Sequence, residues 1–97
     1  MSGSRIVTVA VQVLPLDPDA YRIVDRAIEV ISQSGVRFEV GPMETTMEGD
    51  LDRLLDVAKA AHRACFDAGA QKVVTIIKIG DSVDGSTIAD KVEKYRQ

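Results

Sequence analysis

Two short runs of alternating apolar and polar residues, separated by a Gly-Pro pair, constrain this chain more than any other feature. They lie in Phe38 to Gly49, and the break is Gly41-Pro42. Alternation with a period of two is typical of a strand with one buried face, and a Gly-Pro break is typical of a turn. The pattern therefore predicts a β-hairpin. Its core face is predicted to carry Met43, Thr45 and Met47, and its outer face Glu44, Thr46 and Glu48.

Strand and helix patterns alternate on both sides of this hairpin. Valines at every second position from Arg5 to Leu14 predict a first strand. Apolar residues three and four positions apart predict two helices, one beginning at Asp17-Pro18 and capped by Asp17, and one beginning at Asp50 and capped by it. Lys72 to Ile79 predicts a fourth strand, whose two apolar faces indicate burial on both sides or a contact between subunits.

The resulting order, β-α-β-β-α-β, predicts an α+β fold of the ferredoxin-like class. This fold is one antiparallel sheet with two helices on one face. Thr87 and Asp90 resemble a helix capping pair and predict a short C-terminal helix. Since 97 residues suit one domain and no long linker divides them, we expect a single domain over residues 1–97.

Composition excludes several classes of function. The net charge is −3 and the basic residues are dispersed, which argues against a nucleic-acid surface. No apolar run reaches the length of about 20 residues that a membrane helix needs. The single cysteine cannot form an internal disulfide. The sequence also lacks the Cys-x-x-Cys pair that would indicate a metal site. These observations lead us to expect a soluble cytoplasmic protein that binds neither nucleic acid nor membrane and has no cofactor.

The sheet face opposite the two predicted helices, called the open face below, is where a ligand is expected. Gln12 and Thr46 can each donate and accept hydrogen bonds, as a heteroaromatic ring requires. The glutamates of the hairpin offer acceptors to an amino group or charge to a cation. The alternative is that these are ordinary solvated strand residues.

Catalysis is not predicted. Nucleophilic catalysis needs a base beside the nucleophile. His62 and Cys65 are three positions apart on a helical stripe, where a core or boundary position explains both. The glycines between Gly80 and Gly85 lack the spacing of a phosphate-binding loop and indicate a turn before a helix. We therefore expect a protein that is not an enzyme.

Three segments carry a resemblance to a known family. The run Glu39-Val40-Gly41-Pro42-Met43-Glu44-Thr45-Thr46-Met47-Glu48-Gly49 is similar to the signature of the small thiamine-binding proteins of the YkoF-like superfamily. So are Gln12-Val13-Leu14-Pro15-Leu16 and the run from Ala68 to Ile79 with the Asp81 that follows it, and Asp90-Lys91-Val92 completes the match. The resemblance implies a ferredoxin-like fold, homo-oligomers (dimers or tetramers) formed partly by joining sheets, and non-catalytic binding of thiamine or its hydroxymethylpyrimidine half.

The resemblance and the open face together supply the candidate ligand-binding residues. The resemblance contributes the hairpin positions, with Thr45 the weaker of them because it is predicted to point inward. The open face contributes the residues from the first and fourth strands. The candidates are Gln12, Glu39, Thr45, Thr46, Glu48 and Lys78. The competing hypothesis is a structural or regulatory oligomerisation module without a small ligand, favoured by the apolar faces of the fourth strand.

Overall fold

A computed structural model describes residues 5–85 and 87–89 of the chain. Its elements confirm the predicted order. They are β1 (Val7–Pro15), α1 (Ala20–Gln33), β2 (Arg37–Val40), β3 (Thr45–Gly49), α2 (Leu51–Asp67) and β4 (Val73–Gly80). The predicted C-terminal helix extends beyond the described residues. In the described part of the chain, no helix is long and apolar enough to cross a membrane.

The four strands form one antiparallel sheet in the order β2-β3-β1-β4. This is the ferredoxin-like α+β fold that the sequence predicts. In β1, which we call the central strand, Val9 lies opposite Met47 of β3 and Ile79 of β4. Because successive side chains point to opposite faces, the neighbouring residues of these strands form a second row on the other face.

Both helices cover the face of the sheet that carries Val9. Val9, Met47 and Leu54 are fully buried there, with Ile23 of α1 and Cys65 of α2. Aliphatic side chains at helical spacing on α1 and α2 therefore meet the alternating valines of β1. The other face of the sheet, the open face, receives no cover from α1 or α2.

The helix boundaries correct one detail of the sequence interpretation. Asp17 was predicted to cap the first helix, but α1 begins at Ala20. Asp17 Oδ1 instead accepts a hydrogen bond from the amide of Asp19 at 2.9 Å, which stabilises a turn before the helix. The prediction for the second helix is confirmed, because Asp50 Oδ2 accepts the amide of Arg53 at 3.2 Å.

The hairpin is confirmed, but its turn is longer than predicted. The amide of Gly41 donates to the carbonyl of Glu44 at 2.8 Å, and β3 begins only at Thr45. Met43 therefore lies in the turn, where strand alternation does not apply, and the residue is 71% exposed. Its predicted inward position is wrong. The inward positions of Thr45 and Met47 are confirmed, since both are buried.

Strand β4 lies at an edge of the sheet. Ile77 and Ile79 share the helix side with Val11 and Val9 but remain exposed, because the helices do not extend over them. Val74 and Ile76 on the open face are also exposed. Burial of both faces within the described part of the chain is thereby excluded. The alternative, a contact between subunits, stays a prediction.

Candidate ligand-binding site

The strand pairing arranges the residues of the open face in rows that cross the sheet. Ala10 in the central strand lies opposite Thr46 on one side and Lys78 on the other. Thr46 in turn lies opposite Glu39 of the outer strand β2. The adjacent row contains Arg37, Glu48, Thr8 and Gly80. Polar side chains from all four strands therefore share this face.

A cavity of about 260 Å³ opens on this face. Its floor is the central strand, where Thr8 and Ala10 carry short side chains and Ala10 lies between the longer Thr46 and Lys78. The described residues that line it are Thr8, Ala10, Glu44, Thr46, Lys78, Ile79 and Gly80. We call it the open-face cavity. Its lining combines a carboxylate, an ammonium, two hydroxyls and the methyl group of Ala10.

One ion pair spans the cavity. Lys78 Nζ lies 2.7 Å from Glu44 Oε1, and both side chains are partly exposed. An exposed pair of this kind contributes only about 0–1 kcal/mol, because water screens it and two long side chains must be held in place. A cationic ligand can therefore replace the lysine beside Glu44 at little cost.

A second, smaller cavity lies on the other side of the hairpin turn. It measures about 100 Å³ and is bounded by α1, the end of β1 and the turn that carries Pro42 and Met43. Its walls are mainly aliphatic, with Gln12, Glu44 and Thr45 as polar members. Glu44 borders both cavities. We call the smaller one the turn crevice.

The structure divides the predicted candidates among these features. Thr46 and Lys78 line the open-face cavity. Gln12 and Thr45 line the turn crevice. Glu39 lies on the open face, one strand farther out than Thr46. Thr45 faces the helices, as its predicted inward position requires.

Glu48 makes contacts that set it apart from the other candidates. Its Oε1 lies 2.8 Å from Nε of Arg37, and its Oε2 accepts the backbone amide of Ile88 at 2.6 Å. Its side chain is only 13% exposed. Both carboxylate oxygens are thus already held by groups of the protein.

Glu44 is a cavity residue that the predicted candidates did not include. It belongs to the predicted outer face of the hairpin, so the sequence indicates its direction. The sequence does not indicate its partner, because Glu44 and Lys78 meet only when β3 and β4 pair on opposite sides of β1. Alternation likewise places Thr8 and Ala10 on the open face without any sign that they form a floor.

The histidine and cysteine occupy the core and boundary positions that were predicted. Cys65 is buried, its Sγ lies 3.6 Å from the carbonyl oxygen of Ala61, and burial raises the pKa of its thiol. His62 Nδ1 lies 2.6 Å from Oγ1 of Thr75. Among the described residues, no group of three His, Cys, Asp or Glu side chains could hold a metal ion.

Comparison with known proteins shows which family the chain belongs to. The profile of the thiamine-binding protein family matches residues 9–96. The chain belongs to this family. It is also 48% identical over 90 residues to a UPF0045 protein of Clostridium perfringens, a match that covers 91% of this chain and 95% of that protein.

Two solved structures have the same fold. A domain of unknown function from Bacillus cereus is 54% identical, with a TM-score of 0.91, covering 100% of this chain and 96% of that one. A protein of Thermotoga maritima, described as a candidate thiamine biosynthesis or salvage protein, is 39% identical with a TM-score of 0.86. That match covers 94% of this chain and 99% of the other. The family is named for binding and not for a reaction.

Proposed function

We propose that this protein binds thiamine, or its hydroxymethylpyrimidine half, in the open-face cavity without transforming it. The observation that carries the proposal is the cavity itself, a small-residue floor between Thr46 and the Glu44–Lys78 pair in a member of the thiamine-binding family. A pocket that combines apolar surface with a few converging polar groups is the usual form of a small-molecule site.

The cavity chemistry suits both rings of thiamine. The aminopyrimidine offers an amino donor and ring nitrogen acceptors, and the Thr46 hydroxyl and Glu44 carboxylate can pair with them. The thiazolium carries a positive charge, which can take the place of the Lys78 ammonium beside Glu44. Ala10, which is buried, leaves room above the sheet for a flat ring.

The absence of catalysis is part of the proposal. The described lining of the cavity contains neither histidine nor cysteine. His62 and Cys65 lie on α2, which covers the opposite face of the sheet. No described group therefore pairs a strong nucleophile with a base beside the proposed ligand.

Calorimetric and thermal-shift titrations with thiamine and with hydroxymethylpyrimidine test the proposal. A ligand that binds only the folded state raises the free energy of unfolding by about 2.7 kcal/mol at a hundredfold excess over Kd. The proposal would be ruled out if the folded protein showed no heat of binding and no shift in melting temperature at millimolar concentrations of either compound.

Two adjacent threonines provide a matched pair of variants for locating the ligand. Thr46 lines the open-face cavity, whereas Thr45 points toward the helices. We expect Thr46→Val to weaken binding, because it removes a hydroxyl and keeps the shape of the side chain. Thr45→Val should leave the affinity nearly unchanged. The opposite result would place the ligand in the turn crevice, and normal binding by both Thr46→Val and Glu39→Gln would exclude the open face.

Strand β4 favours a second function, the assembly of several copies into a homo-oligomer. In the part of the chain that the structure describes, no strand pairs with its outer edge. Ile76 and Ile79 expose apolar surface on its two faces. An exposed apolar edge strand is a template for pairing with another chain. We propose that two copies join their sheets through β4.

Light scattering after size exclusion measures this assembly directly. We expect a mass that is a multiple of the 10.5 kDa chain mass, and a lower mass for Ile79→Lys. Val83→Lys is the control, because Val83 is also apolar and exposed but lies in the loop after β4. A monomeric wild-type protein would exclude this function and leave ligand binding as the remaining one.

A further inference from the structure

The residues that follow β4 return to the open face. The amide of Ile88 donates to Oε2 of Glu48 at 2.6 Å, a contact that joins residues 40 positions apart. Glu48 lies opposite Thr8 in the sheet and therefore on the open face. Ile88 is 4% exposed, yet it lies outside the cluster of buried residues between sheet and helices. We call Thr87, Ile88 and Ala89 the strap.

The strand pairing agrees with this placement. Thr8 is 4% exposed, although it is on the face that α1 and α2 leave uncovered. It lies opposite Glu48, which holds the Ile88 amide, so the strap lies near Thr8. Thr8 and Gly80 also line the open-face cavity, so the strap lies next to that end of the cavity without forming part of its described lining.

The approach to the strap is held in place by two further contacts. The Arg5 guanidinium makes paired hydrogen bonds to the Asp81 carboxylate, at 2.9 and 2.7 Å. The amide of Gly85 then donates to the Ser82 carbonyl at 2.9 Å and closes a turn. Gly85 has a φ of +91°, which glycine adopts readily and other residues do not. This turn directs the chain back toward the start of β1.

Glu48 has the geometry of a latch for this strap. One carboxylate oxygen is held by Nε of Arg37 at 2.8 Å, which fixes the orientation of the group. The other oxygen is then directed at the Ile88 amide. A backbone N–H bound to a carboxylate makes a stronger hydrogen bond than a pair of neutral groups. Arg37 is accordingly a positioning residue for Glu48.

We propose that the strap closes one end of the open-face cavity and that a ligand enters or leaves when the Ile88 amide releases Glu48. This gating rests on the ligand binding proposed above, whereas the latch itself does not. It assigns Glu48 the role of holding the protein closed over the ligand, in place of the direct ligand contact expected from the sequence.

Amide hydrogen exchange followed by NMR tests the latch without any ligand. In Glu48→Ala, the Ile88 amide should exchange about tenfold faster or more than in the wild type, because its acceptor is gone. Glu48→Gln, which keeps an acceptor of the same shape without its charge, should give an intermediate rate. Glu29→Gln is the control, because Glu29 is an exposed carboxylate on α1, and it should leave the exchange rate of the Ile88 amide unchanged.

The Val9 amide in the central strand reports whether each variant remains folded. An unchanged Ile88 rate in a folded Glu48→Ala protein would overturn the latch. If Glu48→Ala does not fold, Glu48→Gln decides the question, since an Ile88 rate equal to that of the wild type would refute the charge-assisted bond.

Stopped-flow binding of thiamine tests the gate. We expect Glu48→Gln to raise both the association and the dissociation rate, with a smaller change in their ratio, because an opening step limits both. Equal rates in the variant and the wild type would refute gating even if the exchange experiment supports the latch. A wild-type protein that binds no thiamine would refute the proposed function and the gate together, and the exchange data would then show separately whether the latch exists.

Discussion

The hairpin turn can be tested by making one substitution at two positions of the same motif. Met43 and Met47 are four residues apart, so an unbroken alternating strand would place both on the core face. In the structure Met47 is 0% exposed, whereas Met43 is in the turn and largely exposed. Met43→Ala and Met47→Ala therefore distinguish a turn that ends at Glu44 from a strand that runs through it.

The two substitutions are expected to lower the free energy of unfolding by amounts that differ severalfold. Met47 lies opposite Val9 of β1 and Phe38 of β2, on the face covered by the helices. Truncating a buried methionine to alanine costs about 2–5 kcal/mol, through lost transfer energy and the cavity left behind. An exposed turn residue should change stability by no more than about 0.5 kcal/mol. Since domains have a total stability of about 5–15 kcal/mol, Met47→Ala should remove a large part of it.

Urea unfolding followed by circular dichroism measures both variants. Each kcal/mol should also shift the melting temperature by about 4–8 °C in a domain of this size. Protein concentration must be equal in all samples, because association stabilises the folded state by mass action. Equal destabilisation by the two substitutions, with unchanged m-values, would refute the turn and restore the continuous strand.

Three further predictions follow from individual contacts. Lys78→Gln should tighten thiamine binding about two- to fivefold, because it removes the ammonium that competes for Glu44. The same substitution should not tighten binding of hydroxymethylpyrimidine, which is uncharged. Calorimetric titration of both ligands distinguishes these results. Arg5 holds the pKa of Asp81 below its ordinary value of 3.8, so the stabilisation from this pair is complete above that pH and is lost as the pH falls through the lowered pKa. Urea midpoints on either side of pH 3.8 should show a smaller acid loss in Asp81→Asn than in the wild type. Burial raises the pKa of the Cys65 thiol, so a thiol reagent should react only as fast as the protein opens, and rapid labelling in native buffer would place Cys65 at the surface.

The faces of the strands are predictable from sequence because their side chains alternate. The valines of β1 identify the core face, and Thr8 and Ala10 must then point the other way. The hairpin obeys the same rule from Thr45 onward. Alternation alone therefore identifies the residues of β1 and β3 that share the open face.

The cavity is not predictable in this way, because it depends on which residues become neighbours across strands. Ala10 forms a floor only because Thr46 and Lys78 pair with it from β3 and β4. Strand register is a tertiary property, set by the packing of the whole core face. The Glu48–Ile88 bond has even less local signal, since its partners are 40 positions apart and one of them is a backbone amide.

The acidic outer face of the hairpin thus places Glu44 and Glu48 in two different environments. Glu44 and Glu48 are four residues apart, but Glu48 is 13% exposed and Glu44 is 29% exposed. Glu44 faces a single exposed lysine, a partner that an incoming cation can replace. Glu48 is held by Arg37 and by a backbone amide that has no other described acceptor, so displacing it would leave a buried N–H unsatisfied. The cost of exchanging partners therefore supports the two roles proposed above, ligand recognition by Glu44 and closure by Glu48.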